Sequence, residues 1–412
     1  MRKIIKACRQ RLLAGALSAV MLMGACPAAV FAEAPASPTP TPDPHGAYYN
    51  EAASTDALHG WPVGPSIEGQ AAVVINLQNG GILYSKNADT VLYPASITKI
   101  LTCLLACENL DMNMTFAMSQ SAAFGIEPGS SSIYGDTDEV FTVEQAMMGL
   151  MLESANEMAL MLGELVSGSE KKFIELMNER AAELGCRHTH FNNPNGLPDE
   201  NHYTCAGDMA KIMVECWKND LFRKFCTTPS YEIPPTNKQP ETRYLTNHHK
   251  MMAGRDYAYE GVLGGKTGYT MAAGNTLVTF ANRDSMRLGV VVLNSVGGAY
   301  EDTAKLLDYG FGNFKKVFMN GVFDKLRPSQ EITAELRALV GYKAPESPAY
   351  TRVLPFVVLP AGISQDNIDV IRIPHKNVAG LPWNEYVYYY EGNCVGTSRE
   401  YMKKVDLVGT GG

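Results

Sequence analysis

Two apolar hairpins, placed at opposite ends of a long helical stretch, constrain this chain more than any other feature. The first is Ala71 to Asn76 and Gly81 to Tyr84 around Gln78-Asn79-Gly80, residues that turn a chain tightly. The second is Thr276 to Ala281 and Leu288 to Asn294 about a turn at Arg283-Asp284. Between them the apolar repeat changes from strand to helix spacing. Ile97, Ile100, Leu101, Leu104 and Leu105 mark one face of a helix beginning at Pro94-Ala95-Ser96. Thr142 and Gln145 have the spacing of a capping box for a Met- and Leu-rich helix running toward Glu153. Ser169 caps a helix from Glu170 to Leu184 that stops at Gly185, and a closing helix spans Glu301 to Phe314. Strands early and late with helices between predict an α/β domain. One antiparallel sheet is built from both ends of the domain and flanked by helices, with a helical subdomain inserted.

At 412 residues the chain exceeds what one core usually supports, so the domain 69–314 is expected to have a companion. Val353 to Leu359, Asp369 to Ile373 and Glu385 to Tyr390 read as short strands of a small β-rich domain, 315–412, without a cluster of reactive residues. Residues 33–68 read as a proline-rich linker and lead-in, with Pro35 to Pro44 extended and folded structure starting near Gly69. Residues 1–32 have the plan of a signal peptide. Arg2, Lys3, Lys6, Arg9 and Arg11 form a basic head, Leu12 to Cys26 an apolar run, and Val30-Phe31-Ala32 a cleavage site. The alternative is an uncleaved anchor, the one route by which the protein would stay on a membrane. Either way the folded part is expected outside the cytoplasmic membrane.

The chain carries 35 Lys+Arg against 43 Asp+Glu, and cleavage removes five basic residues and no acidic one. That balance argues against nucleic acid as a partner. Of nine cysteines, Cys8 and Cys26 leave with the leader. Cys103 and Cys107, four apart on a helix, read as buried thiols rather than a disulfide framework. There is no HExxH, and Cys186, His188 and His190 read as an incidental turn, so neither metal nor cofactor is expected.

Three short elements carry chemistry. Ser96-Ile-Thr-Lys99 at a helix start puts an amine within reach of a hydroxyl, which it can deprotonate if burial or a second cation keeps it neutral. Ser169-Glu-Lys-Lys172 has the same spacing in a charged, solvated helix start and is read as a decoy. Ser154-Ala-Asn156 lies between two helical stretches, where its hydroxyl can relay a proton and its amide can orient Lys99; Ser85-Lys-Asn87 repeats the pattern at a hairpin end. Lys266-Thr267-Gly268 heads a strand after Gly264-Gly265, offering a charge, a hydroxyl and a close backbone approach.

The three elements in this order resemble the motif set of penicillin-binding proteins and class A β-lactamases. With Pro94 to Lys99, Glu153 to Asn156, Thr189 to Pro198 and Glu260 to Thr270, the chain is most similar to low-molecular-mass D-alanyl-D-alanine carboxypeptidases, serine peptidase family S11. The resemblance covers Gln70 to Phe314. It implies that Ser96, activated by Lys99, attacks the bond between the terminal D-alanines of a peptidoglycan stem peptide, and that β-lactams acylate the same serine. Ser154 and Asn156 would complete the catalytic group. Lys266, Thr267, Gly268 and Tyr269 would bind substrate, the backbone N–H groups of Ser96 and Tyr269 forming the oxyanion hole. Many relatives have histidine at Tyr269 and an arginine in the stretch Ser295 to Lys305, which has none here. The alternatives are an endopeptidase, a β-lactamase (Glu175-Leu-Met-Asn178 is a near match to its deacylating loop) and a non-catalytic wall-binding protein.

Overall fold

The structure, a computed structural model, describes residues 46–319, 355–376 and 382–401. The leader, the proline run Pro35 to Pro44 and the start of the strand expected at Val353 lie outside the described residues. A first hairpin, β1 (Ala71–Asn76) and β2 (Ile82–Lys86), leads through a 3-10 turn at Ala95–Thr98 into α1 (Lys99–Asn109). A small ribbon of β3 (Thr115–Ala117) and β4 (Val140–Thr142) encloses the short α2 (Gln120–Phe124). Then come α3 (Val143–Leu152), α4 (Asn156–Ser167), α5 (Glu170–Glu183), α6 (Ala206–Lys218) and α7 (Asp220–Thr227). A second ribbon, β5 (Ser230–Ile233) with β6 (Arg243–Thr246), precedes three long strands: β7 (Val262–Thr270), β8 (Gly274–Arg283) and β9 (Met286–Ser295). The closing helix is α8 (Ala299–Asn313).

The two hairpins share one sheet, as expected. Its order is β2-β1-β9-β8-β7, all antiparallel, with Val73 opposite Val291 and β7 left as an edge. Alternation along the strands gives the sheet two apolar faces. Val73, Ile75, Val291 and Leu293 point into a core with α1, α3, α4 and α6. Ala72, Val74, Val290 and Val292 point the other way, against Leu306 and Leu307 of α8. In α1, residues all around the helix are buried, including Cys103 and Cys107, which are free thiols. The capping box forms with both halves present, Gln145 N–H to Thr142 Oγ1 at 3.1 Å and Thr142 N–H to Gln145 Oε1 at 2.8 Å.

The sequence pattern missed α6 and α7, although both are amphipathic, and it missed the two small ribbons, whose strands of three or four residues are too short to carry a period. It also placed the start of folded structure too late. Trp61 and Ile67 are buried. Trp61 donates from Nε1 to Leu83 O at 2.9 Å and lies against Phe314 and Tyr390, covering the hairpin from outside.

After α8, β10 (Phe314–Phe318) pairs with β11 (Phe356–Pro360), and β12 (Asp369–Lys376), β13 (Pro382–Tyr390) and β14 (Asn393–Tyr401) form a three-stranded sheet. The last strand was not anticipated. Val357, Leu359, Tyr386 and Tyr388 join the core on the α8 side of the main sheet. The tip of the first hairpin is tied to both late sheets. Asn79 Nδ2 donates to Phe356 O at 2.9 Å, and Thr397 N–H donates to Asn79 O at 2.7 Å. Truncating Trp61 removes a ring that bridges these layers. Trp61→Ala should cost about 3–5 kcal/mol in urea unfolding, the range for a large buried aromatic.

Candidate active site

Ser96 sits in the 3-10 turn ahead of α1, partly open to solvent. The turn is held in an unusual shape: Ala95 has φ of 51°, a left-handed value for a residue with a Cβ. Thr98 Oγ1 donates to Ala95 O at 2.9 Å and is itself bonded by His202 Nε2 at 2.8 Å. Asn192 N–H donates to His202 Nδ1 at 3.0 Å, so the ring is neutral with its proton on Nε2. Burial, the largest cause, pushes His202 down to about 4 and keeps it neutral at ordinary pH. From the sheet, Thr276 Oγ1 donates to Pro94 O at 2.9 Å. The backbone of β7 presses in beside the serine: a Cβ on Gly268 would lie 2.8 Å from Ser96 N and 2.4 Å from Thr276 Oγ1. Only glycine fits.

Lys99 is fully buried. Its Nζ stands 3.1 Å from Ser96 Oγ, 2.6 Å from Asn156 Oδ1 and 2.6 Å from Asn195 O. Burial first, and Lys266 second, hold its pKa well below the ordinary lysine value, while Glu157 opposes them. A neutral amine has two N–H groups and one lone pair. The two oxygens take the N–H groups, which leaves the lone pair for the proton of Ser96. The Asn195 carbonyl had no role in the sequence reading, although its segment was noted as part of the resemblance. A backbone oxygen has no side-chain signature; the signal is the loop itself. Gly196 N–H donates to Asn193 Oδ1 at 2.7 Å, Leu197 N–H to Asn195 Oδ1 at 3.0 Å, and Thr102 Oγ1 to Pro194 O at 2.7 Å. Gly196 has φ of 89° and packs so closely that a Cβ would fall 1.9 Å from Ala95 O.

Ser154 occupies the break between α3 and α4 with φ of 61°. Both sequence neighbours are fixed: Ala155 N–H donates to Gly149 O at 3.1 Å, and the Glu153 carboxylate accepts from Thr246 N–H at 2.6 Å and contacts His248 Nε2 at 2.9 Å. Lys266 Nζ lies 3.0 Å from Ser154 Oγ and 2.9 Å from Thr267 O. It is buried, which lowers its pKa to about 7. Asn156, first residue of α4, is held by its N–H on Ser131 O at 2.8 Å. The structure thus joins Ser96, Lys99 and Asn156 by direct bonds, pairs Ser154 with Lys266, and sets Gly268 against Ser96. Thr267 is half-buried and Tyr269 exposed on the edge strand β7. The decoys are occupied elsewhere. Ser169 Oγ caps α5 through Lys172 N–H at 3.4 Å, and Lys86 is buried with its Nζ on the carbonyls of Tyr48, Ile67 and Gly69.

A Ser-x-x-Lys turn at the head of a buried helix, faced by Ser-x-Asn and by Lys-Thr-Gly on the edge of an antiparallel sheet, has the architecture of the serine DD-peptidases. Solved structures agree. A D-alanyl-D-alanine carboxypeptidase from Mycobacterium tuberculosis matches with a TM-score of 0.57 and 27% identity, over 62% of this chain and 95% of that one. Penicillin-binding protein 6B of Escherichia coli shares the fold over 84% of this chain and 98% of its own, with a TM-score of 0.61 at 21% identity. The chain belongs to the D-alanyl-D-alanine carboxypeptidase family, peptidase S11, whose profile matches residues 60–297. It is 35% identical over 255 residues to the carboxypeptidase DacF of Bacillus subtilis, a match covering 60% of this chain and 63% of that protein. To DacB2 of Mycobacterium tuberculosis it is 30% identical over 263 residues, covering 61% and 84%.

The buried Lys266 should mark the pH dependence of stability. Lys266 titrates at about 7 in the folded protein, against about 10.4 for an unfolded lysine. Between those values the unfolded chain binds more protons, so stability rises with pH across that window; below it the penalty is complete. Lys266→Met should therefore show a shallower rise in unfolding free energy from pH 7 to 10 than the parent, measured by urea denaturation. An unchanged slope would mean that Lys266 is solvated.

Proposed function

We propose that this protein is an exported serine-type D-alanyl-D-alanine carboxypeptidase, with Ser96, Lys99, Ser154 and Asn156 as its catalytic group. One observation carries the reading: a buried amine, Lys99, whose other contacts are both acceptors, 3.1 Å from a partly open serine hydroxyl. Lys99 takes the Ser96 proton as the oxygen attacks the carbonyl between the two terminal D-alanines. The developing oxyanion is received by the backbone N–H groups of Ser96 and Tyr269, which the close approach of Gly268 brings together. Ser154, backed by Lys266, passes a proton to the departing D-alanine. Asn156 holds Lys99 and the peptide, and Lys266 and Thr267 take the terminal carboxylate. Water then cleaves the acyl-enzyme. A β-lactam enters the first step by the same geometry and leaves a slowly hydrolysed ester.

The near match to a β-lactamase loop is spent on structure. Asn178 lies within α5, donating to Phe191 O at 2.8 Å and accepting from Phe191 N–H at 2.8 Å. Residues 1–32 act as the export signal in this reading. The late β sheets contain none of the proposed site residues, so 315–412 supports the hairpin or contacts a partner. Among the described residues no helix is long and apolar enough to cross a membrane.

Intact-mass spectrometry after penicillin treatment should show one adduct, absent in Ser96→Ala; a label on Ser169 would sink the assignment. A peptide ending in D-Ala-D-Ala should release free D-alanine, with Lys99→Ala slower by at least about 1,000-fold. Affinity for the free-acid peptide should weaken as pH rises past about 7, where Lys266 loses its proton. The amidated peptide should be a poor substrate at every pH. Equal cleavage of the two peptides would replace the carboxypeptidase reading with an endopeptidase one.

A further inference from the structure

Three separate segments bring a carboxylate, an imidazole and a thiol together. Asp89, His188 and Cys205 each offer one ligand atom, and those atoms all lie within 4.8 Å of one another. His188 Nδ1 is 3.8 Å from Asp89 Oδ1. Ligand atoms around tetrahedral zinc stand roughly 3–4 Å apart, so a small swing of the two outer side chains closes the set. Cys205 is fully buried, His188 half-exposed and Asp89 exposed, which leaves an entry path on one side.

The surroundings fit a cation held there. Cys205 is the N-cap of α6, and its Sγ accepts the Asp208 N–H at 3.4 Å, a bond a metal-bound thiolate keeps. The Asp208 carboxylate takes the N–H groups of Arg187 and His188 at 2.9 and 2.7 Å and the Thr189 hydroxyl at 2.9 Å, fixing the turn that presents His188. Gly207 N–H donates to Ala88 O at 2.9 Å, which brings Asp89 alongside. Each ligand also lies a few residues from a part of the active site. Asp89 precedes the Leu92–Thr204 bridge and the Ser96 turn, His188 precedes the loop whose Asn195 carbonyl holds Lys99, and Cys205 follows His202.

We propose that Asp89, His188 and Cys205 bind a zinc ion that clamps the three segments framing the Ser96–Lys99 pair. The ion takes the thiolate sulfur, the imidazole nitrogen and a carboxylate oxygen, with water as fourth ligand. Zinc binds sulfur as the thiolate, so the Cys205 proton is released to solvent as the ion binds. No group changes oxidation state. Sequence reading took His188 with Cys186 and His190 as an incidental turn, and those two are indeed engaged elsewhere. Cys186 Sγ contacts Asp208 O, and His190 Nδ1 contacts Asn201 O at 2.6 Å.

The test uses the folded chain after chelator treatment, titrated with Co2+ and then Zn2+. One Co2+ should bind with a sulfur-to-cobalt charge-transfer band in the near ultraviolet, and Zn2+ should displace it. Cys205→Ser keeps a good helix cap and should fold, but should lose the band; Cys186→Ser should retain it. His188→Gln should weaken zinc binding at least about tenfold, since even partners of ligands cost that much. No band in the parent, a band that survives Cys205→Ser, or zinc affinity unchanged by His188→Gln would each overturn the site. These readouts do not involve the acyl-transfer reaction, so they stand or fall apart from the proposed function.

Discussion

The structure is organised around the burial of two amines. Lys99 and Lys266 each lose the water that would keep them charged, and the charge of Lys266 further disfavours a proton on Lys99. An ammonium ion stripped of water is costly, so the fold must surround these nitrogens with oxygens or let them lose a proton. It does both. Asn156 and Asn195 supply acceptors to one, and Ser154 and the Thr267 carbonyl supply them to the other. The left-handed turns at Ala95 and Ser154 are the backbone cost of pointing hydroxyls at them.

Holding that arrangement takes the main sheet, the helical subdomain and the loop before α6 together. The sheet contributes Gly268 and the Thr276 bond to Pro94 O; the helical subdomain contributes Asn156 and Ser154; the loop before α6 contributes Asn195 and, through His202, the shape of the serine turn. Neutral His202 matters because it couples two loops through one ring, accepting from Asn192 and donating to Thr98. Charging it would turn an acceptor into a donor facing the Asn192 N–H.

What could be read from the sequence was whatever is written locally. Ser96 and Lys99 share one turn, the Thr142–Gln145 box spans one helix start, and the hairpins carry their own turns, so each was visible in a few residues. The two-ended sheet followed from the order of strand and helix patterns. The Asn195 carbonyl was hidden because backbone atoms are common to every residue, and the shape at Ala95 because nothing in an alanine announces left-handed backbone. The late strands looked like an independent unit because their alternation is self-contained. Only the packing of Val357 and Tyr388 into the α8 side of the sheet shows that they complete an existing core. Asp89, His188 and Cys205 were beyond reach for the same reason, since their proximity is a property of the tertiary fold.

The pairing of β1 with β9 has a consequence for how the molecule comes into being. The innermost neighbours of the sheet are among the first and the last strands of the domain to be made, with the whole helical subdomain between them. Such long-range contacts must close a large loop before they return any stabilisation, which slows folding and leaves strand edges open meanwhile. Gly268 and Thr276 reach the serine turn only when β7 and β8 have joined that sheet. A partly folded chain therefore has a serine and a lysine but no surface pressing them into register. The serine turn takes its final shape last, with the closing of the sheet.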